Sequence, residues 1–335
     1  MPRLPNALIK YLDPKLPADA FCISGINILF QAADPALQGL MEMHWGSFRV
    51  SISEVKKAQA VFQISDCLSS SLPSLRKSHH FRNEHFLFLS DGKRYLLTGY
   101  FYDHPWQFHC RSLPGCDPEF IYYYLLEPIL LDLLKKLGLL VWHSAAVAID
   151  GMAVLLPGVS GSGKSTTTLN FLKIGYRFLA DDVVLLRTRG RAMEAMGHES
   201  GLYLTEKSLR LLPEWKKFKR GRRCKKGRRW KYLIDLTSFR QKHRSKPPQV
   251  KFLLFPQVTN GTETRLERLT KAQALLECLR QSPKEYPASI LGPSVLQSQF
   301  EIYSILVRSA RCYKIQLGSE QEQVRTILSR LKKQL

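Results

Sequence analysis

A glycine-rich segment that contains one lysine and several hydroxyl residues has the spacing of a phosphate-binding loop. Residues 158–165 read GVSGSGKS, and Thr166 follows. Three glycines let the backbone turn so that its N–H groups face an anion. Lys164 would reach the β- and γ-phosphates of a nucleotide, Ser165 would bind Mg²⁺, and Thr166 would add a phosphate contact. The residues predicted to bind the nucleotide are Gly158, Val159, Ser160, Gly161, Ser162, Gly163, Lys164, Ser165 and Thr166.

The context of this segment favours binding over the alternative, a strand-to-helix turn that binds nothing. An apolar strand, MAVLLP, precedes it, and a helix to about Ile174 is predicted to follow. The positive N-terminus of such a helix attracts phosphate.

Two adjacent carboxylates supply a second element of the predicted site. Asp181 and Asp182 lie between the apolar runs YRFLA and VVLL. Successive side chains of a strand point to opposite faces, so one carboxylate would face Mg²⁺ while its neighbour points elsewhere. Charges there are costly to bury without a partner. One aspartate as metal ligand and one as general base would suffice for phosphoryl transfer to a hydroxyl; a solvated strand end is the alternative.

The predicted elements place these residues in an α/β domain. LLVWHSAAVAI and MAVLLP form a hairpin around the turn pair Asp150-Gly151, so two antiparallel strands lead into the loop. This arrangement differs from an ordinary parallel-sheet nucleoside kinase. The elements predicted beyond the loop helix are the strand YRFLADDVVLLR, an irregular segment over 190–250, the strand VKFLLFP, helices over 270–281 and 293–310, the strand CYKIQLG and a helix over 319–335.

The first part of the chain reads as a separate β-rich domain. INILF and GSFRVSIS are predicted strands, and HFLFLSDGKRYLLTGYF is a predicted hairpin with the turn Asp91-Gly92. A helix is predicted from Pro118 to Leu137, kinked at Pro128 and ended by Gly138. We therefore predict a β-rich domain over 1–116, a connecting helix over 117–138 and the α/β domain over 139–335.

Composition narrows the class of protein. The 335 residues are 44% hydrophobic and 23% charged, which is typical of globular domains and excludes a collagen, a coiled-coil rod or wholesale disorder. Seven irregularly spaced cysteines without a CxxC pair, and no apolar N-terminal segment, predict a reduced, cytoplasmic protein. Charges and Pro128 interrupt the apolar stretch 120–142, so it is predicted to be a buried helix and not a membrane span.

Four residues of a predicted loop have metal-binding side chains: His104, His109, Cys110 and Cys116. Their spacing matches no standard zinc site, and packing within the first domain is the favoured interpretation.

A strongly basic stretch suggests an acidic partner. The formal net charge is +22, and residues 216–231, KKFKRGRRCKKGRRWK, contain eleven basic residues and no acidic one. Three interpretations compete: a disordered, solvated loop, a docking site for an acidic peptide or protein, and a nucleic-acid site. Trp215, Phe218 and Trp230 flank or interrupt the run and would stack on bases or anchor the loop.

The segment WHSAAVAIDGMAVLLPGVSGSGKSTTTLNFLKIGYRFLADDVVLL resembles the core of HPr kinase/phosphorylase and of related kinases in peptide-modification gene clusters, including lasso-peptide kinases. The resemblance is close over 139–187 and continues loosely through VKFLLFP. It implies the HPr kinase and phosphoenolpyruvate-carboxykinase type of P-loop domain. Within the family, the β-rich first domain is most similar to the peptide-cluster relatives, such as the protein of the SynChlorMet cassette.

The resemblance also implies roles. His143, which by position alone would more often be a core histidine, matches the family's active-site histidine. Lys164 matches the phosphate lysine, Ser165 the Mg²⁺ ligand and Asp182 the carboxylate that accepts the hydroxyl proton. Asp181 is then a metal-side or orienting carboxylate.

The chain departs from the family after the aspartate pair. HPr kinases have EIRGLGI where this chain reads GHESGLYL, so Glu199 is the candidate to replace a metal-binding glutamate. The later catalytic arginine has only two candidates, Arg223 and Arg229. These departures argue against phosphorylase activity and against HPr as the substrate.

The resemblance therefore predicts an ATP- and Mg²⁺-dependent kinase that phosphorylates a Ser/Thr-type hydroxyl of a peptide or small protein, and it implies a homo-oligomer. The alternatives are a nucleotide-responsive protein that binds nucleic acid or an acidic partner, and a small-molecule kinase.

Overall fold

The computed structural model describes residues 10–66, 79–82, 86–90, 94–101, 105–190, 192–197, 201–226, 229–239, 246–281 and 292–332. The chain divides into two compact units, one ending at Leu137 and one beginning at Gly138. No helix among the described residues is long and apolar enough to span a membrane.

The first unit is built on one eight-stranded sheet. Its strands are β1 (Ala18–Ile23), β2 (Ile26–Ala32), β3 (Arg49–Val50), β4 (Ala60–Asp66), β5 (His79–Arg82), β6 (Phe86–Ser90), β7 (Tyr95–Tyr100) and β8 (Trp106–Ser112). They lie in the order β3-β1-β2-β4-β8-β7-β6-β5, with β2, β4 and β8 parallel. The predicted β6–β7 hairpin is confirmed, whereas its turn at Asp91-Gly92 lies outside the described residues.

Two predictions for this unit are wrong. GSFRVSIS is a strand only at Arg49–Val50 (β3), which lies between two short 3₁₀ turns, Gly46–Phe48 and Ile52–Glu54. His109 and Cys110 are not in a loop but in the strand β8, where Cys110 is buried. Among the described residues, no group of three or more His, Cys, Asp or Glu side chains is arranged to bind a metal. His104 lies outside them.

The helices of the first unit begin at capped positions. α1 (Pro35–Trp45) has Asp34 as N-cap, accepting from the Ala36 amide, and proline at its first position. α2 is a continuous helix of three segments, Pro118–Phe120, Ile121–Leu126 and Glu127–Lys136, of which the middle one is a π-helix. Pro128 has no N–H for the preceding turn, and the helix widens just before it.

The second unit combines a large mixed sheet with helices on both faces. The strands are β9 (Leu140–Trp142), β10 (Ser144–Ile149), β11 (Met152–Pro157), β12 (Arg177–Ala180), β13 (Val184–Arg189), β14 (Ala192–Gly197), β18 (Gln249–Val258), β19 (Arg265–Arg268) and β20 (Arg311–Leu317). The main order is β12-β10-β11-β18-β14-β13-β9, and β20 pairs with β18 and β19. The predicted α/β class is confirmed, because β11, β18 and β20 are parallel to one another.

The helices of this unit are α3 (Lys164–Lys173), α4 (Glu206–Leu211), α5 (Lys271–Arg280), α6 (Gly292–Ser309) and α7 (Gln321–Lys332). A small sheet contains β15 (Gly201–Leu204), β17 (Arg229–Asp235) and β16 (Lys219–Lys226), in that order. The predicted irregular segment 190–250 is therefore wrong for much of its length: it contains β14, α4 and the small sheet.

Side chains of the central strands alternate between two cores. Val147 and Val154 pack in a cluster with α3, α7 and the small sheet, whereas Ala148 and Leu155 pack in a second cluster with α5 and α6. Because both faces of the sheet are covered, its central strands are almost continuously apolar.

Two pairs of consecutive strands lie far apart in the order of the large sheet. His143 alone joins β9 to β10, and residues 181–183 join β12 to β13, yet four other strands lie between the members of each pair. One residue spans less than about 4 Å, so the sheet curves until its two ends meet. We call this junction, His143 and residues 181–183, the seam. Gly197 shows how closely the ends approach, since a Cβ there would lie 1.6 Å from the Leu179 carbonyl oxygen.

Two predictions are wrong at the seam, because LLVWHSAAVAI and YRFLADDVVLLR are not single strands. Each is interrupted where the chain changes its partner strands: β9 pairs with β13, whereas β10 pairs with β11 and β12.

Candidate active site

The glycine-rich segment is a loop between β11 and α3. The β10–β11 hairpin that leads into it turns at Asp150 and Gly151, whose φ angles of 49° and 75° are those of the expected tight turn. Gly163 has φ 106°, and a Cβ there would lie 2.4 Å from Cδ1 of Leu317. The backbone conformation therefore favours glycine at the last position before α3, and any larger residue there would force Leu317 to shift.

Lys164 extends back across the loop and is buried. Its Nζ donates to the carbonyl oxygens of Gly158 and, at 3.4 Å, of Val159, and it lies 3.2 Å from Nε2 of His143. An ammonium group can only donate, so Nε2 of a neutral His143 is the acceptor. The pKa of Lys164 is lowered by burial and by the charge of Lys231, against the opposing charges of Asp181 and Asp182.

Ser165 and Asp181 form the second contact of the site. Ser165 Oγ donates to Asp181, with distances of 2.9 Å to Oδ1 and 3.2 Å to Oδ2. Asp181 is buried at the seam. Burial and the charge of Asp182 raise its pKa to about 7, although Lys164, the Ser165 hydrogen bond and Lys231 act in the opposite direction. A carboxylate so held gains a large stabilisation from any cation that replaces its proton.

Asp182 is half-buried at the seam, next to Asp181. Its charge acts on both Lys164 and Asp181. The structure therefore brings His143, Lys164, Ser165, Asp181 and Asp182 together: the loop and α3 carry two of them, and the seam carries the other three.

The loop also has features that fit a phosphate and a divalent cation. Ser162 Oγ is buried and has no hydrogen-bond partner among the described residues, which is a costly state for a hydroxyl. The first N–H groups of α3 have no acceptor within the helix. Val159 is 59% exposed, and Ser160 and Gly161 are also exposed, whereas Thr166 is half-buried in the first turn of α3. A hydroxyl and a carboxylate at Ser165 and Asp181 are hard oxygen donors of the kind that Mg²⁺ binds.

Three residues of the sequence-based hypothesis are not placed. Glu199 lies outside the described residues, and the side chains of Arg223 and Arg229 are not described either. Sequence reasoning did not single out one further cation near the site: the charge of Lys231, in β17, lowers the pKa of both Lys164 and Asp181. Its only signal in the sequence was its position at the end of the basic stretch.

Comparison with known proteins finds similarity in the segment that carries the site. Residues 138–205 match the family model described as HPr Serine kinase C-terminal domain. The HPr kinase/phosphorylase of Chlorobium luteolum is 42% identical over 53 residues, which are 16% of this chain and 16% of that protein. The HPr kinase/phosphorylase of Peptoclostridium acidaminophilum is 51% identical over 45 residues, 13% of this chain and 15% of that protein. The chain thus spans about a sixth of the length of the curated relatives it matches.

A solved structure, described as that of the Hpr(Ser) kinase/phosphatase from Coxiella burnetii, covers 58% of this chain and 99% of its own, with 16% identity and a TM-score of 0.30. The predicted resemblance to HPr kinases is confirmed, through the sequence matches, for the segment that contains the glycine loop, the histidine and the two aspartates.

Proposed function

We propose that this protein is a kinase that transfers the γ-phosphoryl group of ATP to a Ser/Thr-type hydroxyl of a peptide or small protein. The observation that carries the proposal is the Ser165–Asp181 hydrogen bond directly behind the glycine loop, with a second carboxylate, Asp182, beside it. The names of the matched relatives, HPr kinase/phosphorylases, support a kinase.

The loop residues bind the nucleotide in this proposal. Lys164 exchanges the Gly158 and Val159 carbonyl oxygens for phosphate oxygens, because an anion is a stronger partner for its ammonium group. The loop amides from Gly158 to Thr166 and the Ser162 hydroxyl, which lacks a partner among the described residues, supply further donors. Together, the lysine and these hydrogen-bond donors stabilise the charge that develops on the phosphate during transfer.

Ser165 and Asp181 would hold Mg²⁺, which neutralises phosphate charge when bound. Their oxygens already lie 2.9 Å apart. Glu199 remains an expected further ligand.

Asp182 acts as the general base. The hydroxyl oxygen of the acceptor attacks the γ-phosphorus, the bond from that phosphorus to the bridging oxygen breaks, and ADP leaves with the bond's electron pair. The hydroxyl proton passes to Asp182. His143 keeps the Lys164 ammonium in place through Nε2.

The resemblance favours the kinases of peptide-modification clusters as the nearest relatives. A cytoplasmic location and a homo-oligomeric state belong to the proposal on the same ground.

The test is transfer of label from γ-labelled ATP with Mg²⁺ to a panel of Ser/Thr peptides, HPr and free serine. We expect label on a peptide hydroxyl, and its loss in Lys164→Ala and Asp182→Asn. Two matched controls should keep it: Lys173→Ala, at the other end of α3 where the side chain is 42% exposed, and Asp150→Asn in the hairpin turn. Wild-type transfer by Asp182→Asn would contradict the assigned base, and nucleotide binding without transfer to any acceptor would contradict the kinase.

A further inference from the structure

The described residues of the basic stretch, 216–226 and 229–231, belong to regular secondary structure of the second unit. The stretch begins in a 3₁₀ turn, Pro213–Phe218, and continues through β16 into the start of β17. The strands pair antiparallel, with a shift of register between Arg220 and Cys224. We call these described residues, 216–226 and 229–231, the basic ribbon. The eleven cations of the whole stretch 216–231 account for half of the formal net charge of +22.

Four exposed cations of the ribbon lie on or directly before the edge strand of a sheet. β16 is the last strand of the three-stranded sheet, and β17 is its one partner among the described strands. Lys216, Lys217 and Lys219 are exposed, as is Arg220, which pairs with Asp235 at 2.5 Å. At about 3.3 Å per residue, β16 is roughly 26 Å long, which is the length of an extended peptide segment of about eight residues.

The packing of the aromatic residues in this region argues against a surface on which nucleic-acid bases stack. Trp215 is buried, and its ring packs at 5.4 Å from Phe218 and 5.1 Å from Phe239. Phe218 and Phe239 pack against the core cluster. Rings used in this way cannot stack on successive bases, as proteins that bind single strands require. Of the three aromatic residues that flank or interrupt the stretch, Trp230 is the one that is largely exposed, at 54%.

The ribbon lies within electrostatic reach of the candidate active site. Lys231, which lies in β17 opposite Cys224 of β16, influences both Lys164 and Asp181 electrostatically. A chain that follows β16 therefore passes a residue whose cross-strand partner acts on the loop and the seam.

We propose that the basic ribbon is the docking surface for an acidic segment of the phosphoryl acceptor, which it aligns so that a neighbouring hydroxyl reaches Asp182. The inference rests on the proposed function. Carboxylates of the acceptor pair with the exposed lysines, and this complementarity selects acidic partners and raises the rate of encounter. The length of β16 assigns the surface to a peptide segment, since a small molecule would contact only a part of it.

The first experiment measures docking without catalysis. A fluorescein-labelled peptide in which glutamates surround one serine is titrated with the protein in the absence of ATP, beside a twin with glutamine in place of glutamate and beside single-stranded and duplex oligonucleotides. The ribbon variant is Lys216→Gln/Lys217→Gln/Lys219→Gln. The control variant, Lys251→Gln/Arg268→Gln/Arg308→Gln, removes the same charge from exposed positions of the second unit outside the ribbon.

We expect the acidic peptide to bind, the glutamine twin to bind at least tenfold more weakly, and the ribbon variant to lose at least tenfold in affinity, about 1.4 kcal/mol. The affinity of the control variant for the acidic peptide should fall less than threefold. Equal losses in both variants would overturn the docking surface, because net charge alone would then explain binding. Tighter ribbon-dependent binding of an oligonucleotide than of the acidic peptide would overturn it in favour of nucleic acid. Absence of peptide binding would also overturn it, leaving the lysines to protect an edge strand from pairing.

The second experiment separates this inference from the proposed function. Transfer from γ-labelled ATP to the same acidic peptide is measured for the wild type and both variants. A higher KM with an unchanged kcat in the ribbon variant supports docking. Transfer that the ribbon variant leaves unchanged would overturn docking and keep the kinase, whereas ribbon-dependent binding with no transfer would keep docking and contradict the kinase for this acceptor.

Discussion

Ser165 Oγ lies 2.9 Å from Oδ1 and 3.2 Å from Oδ2 of Asp181, so this hydroxyl donates to a carboxylate that the fold has buried. The serine belongs to the helix behind the glycine loop, and the aspartate belongs to the seam of the curved sheet. The bond therefore joins the two parts of the molecule on which phosphate binding and metal binding would depend.

We predict that Asp181→Asn removes the effect of Mg²⁺ on nucleotide affinity. Asparagine keeps the size and the contact with Ser165 but loses the negative charge that holds a divalent cation. The ATP dissociation constant, measured by calorimetry with and without Mg²⁺, should change with the metal by at least about tenfold in the wild type and by much less in the variant.

Ser165 supplies the matched pair of controls. Ser165→Thr keeps a hydroxyl and should keep the Mg²⁺ effect, whereas Ser165→Ala should reduce it. An unaltered Mg²⁺ effect in Asp181→Asn would remove this aspartate from the metal site.

Local sequence signals were enough to predict the glycine loop and the β10–β11 hairpin that leads into it. Asp150-Gly151 takes the positive φ angles of a tight turn because few other residue pairs do so at low cost, and the glycines, Lys164 and Ser165 lie in one continuous segment. Each of these features depends on residues close in sequence, so one amino-acid sequence is enough to predict them.

The seam could not be predicted in this way. The two aspartates left a strand end open as an alternative, but nothing local marks His143 as such a point, because the break arises from a change of partner strands across the whole sheet. The strands of the basic ribbon could not be predicted for a related reason. Its charges left a disordered loop open as one of three interpretations, but Trp215 and Ile234, which flank it, pack in the core, and burial of such side chains outweighs the repulsion of exposed lysines.

We predict that Gly163→Ala impairs both stability and nucleotide binding. The new Cβ would meet Leu317 Cδ1 at 2.4 Å, in addition to the strain of a φ of 106°. Gly190→Ala is the control, because Gly190 has φ 60° and a Cβ there would have no neighbour within 4 Å among the described residues. Each substitution should cost about 1–2 kcal/mol for the backbone, and Gly163→Ala about 1–3 kcal/mol more for the overlap.

Urea unfolding and nucleotide titration measure the two effects. Nucleotide affinity should fall in Gly163→Ala only, and Gly163→Ala/Leu317→Ala should recover part of it because the overlap is relieved. Equal affinity in the two single variants would show that the loop tolerates a side chain before α3.

We predict a pH-dependent contribution of Glu194 to stability. This carboxylate is fully buried and accepts from Arg187 at 2.6 Å and Arg189 at 3.0 Å. Burial would raise the pKa of Glu194, but the hydrogen bonds and charges of the two arginines outweigh it and lower the pKa. A lowered carboxyl pKa stabilises the fold above the ordinary glutamate pKa, and this contribution is lost as the pH falls through the folded-state pKa.

Glu194→Gln should therefore reduce the free energy of unfolding by about 1–3 kcal/mol at neutral pH, and the difference from the wild type should shrink in more acidic solution. Glu263→Gln, which breaks an exposed pair with Arg265, should cost less than about 1 kcal/mol at any pH. If the loss of unfolding free energy in Glu194→Gln stays constant down to about pH 3, the charge of Glu194 beside the two arginines is not the source of that loss.

We predict that His143 acts by positioning Lys164. Its Nε2 is 3.2 Å from the lysine Nζ, and a buried ammonium group that loses an acceptor is free to leave the loop. His143→Leu should lower kcat for transfer by about tenfold to a hundredfold, since a hydrogen bond to a charged group is worth about 1.5–3 kcal/mol. His143→Gln offers an amide oxygen as an alternative acceptor and should recover most of the rate. If the glutamine variant is as slow as the leucine variant, the imidazole itself takes part in the reaction; the pH profile of kcat in the wild type would then show a group with a histidine-like pKa that both variants lack.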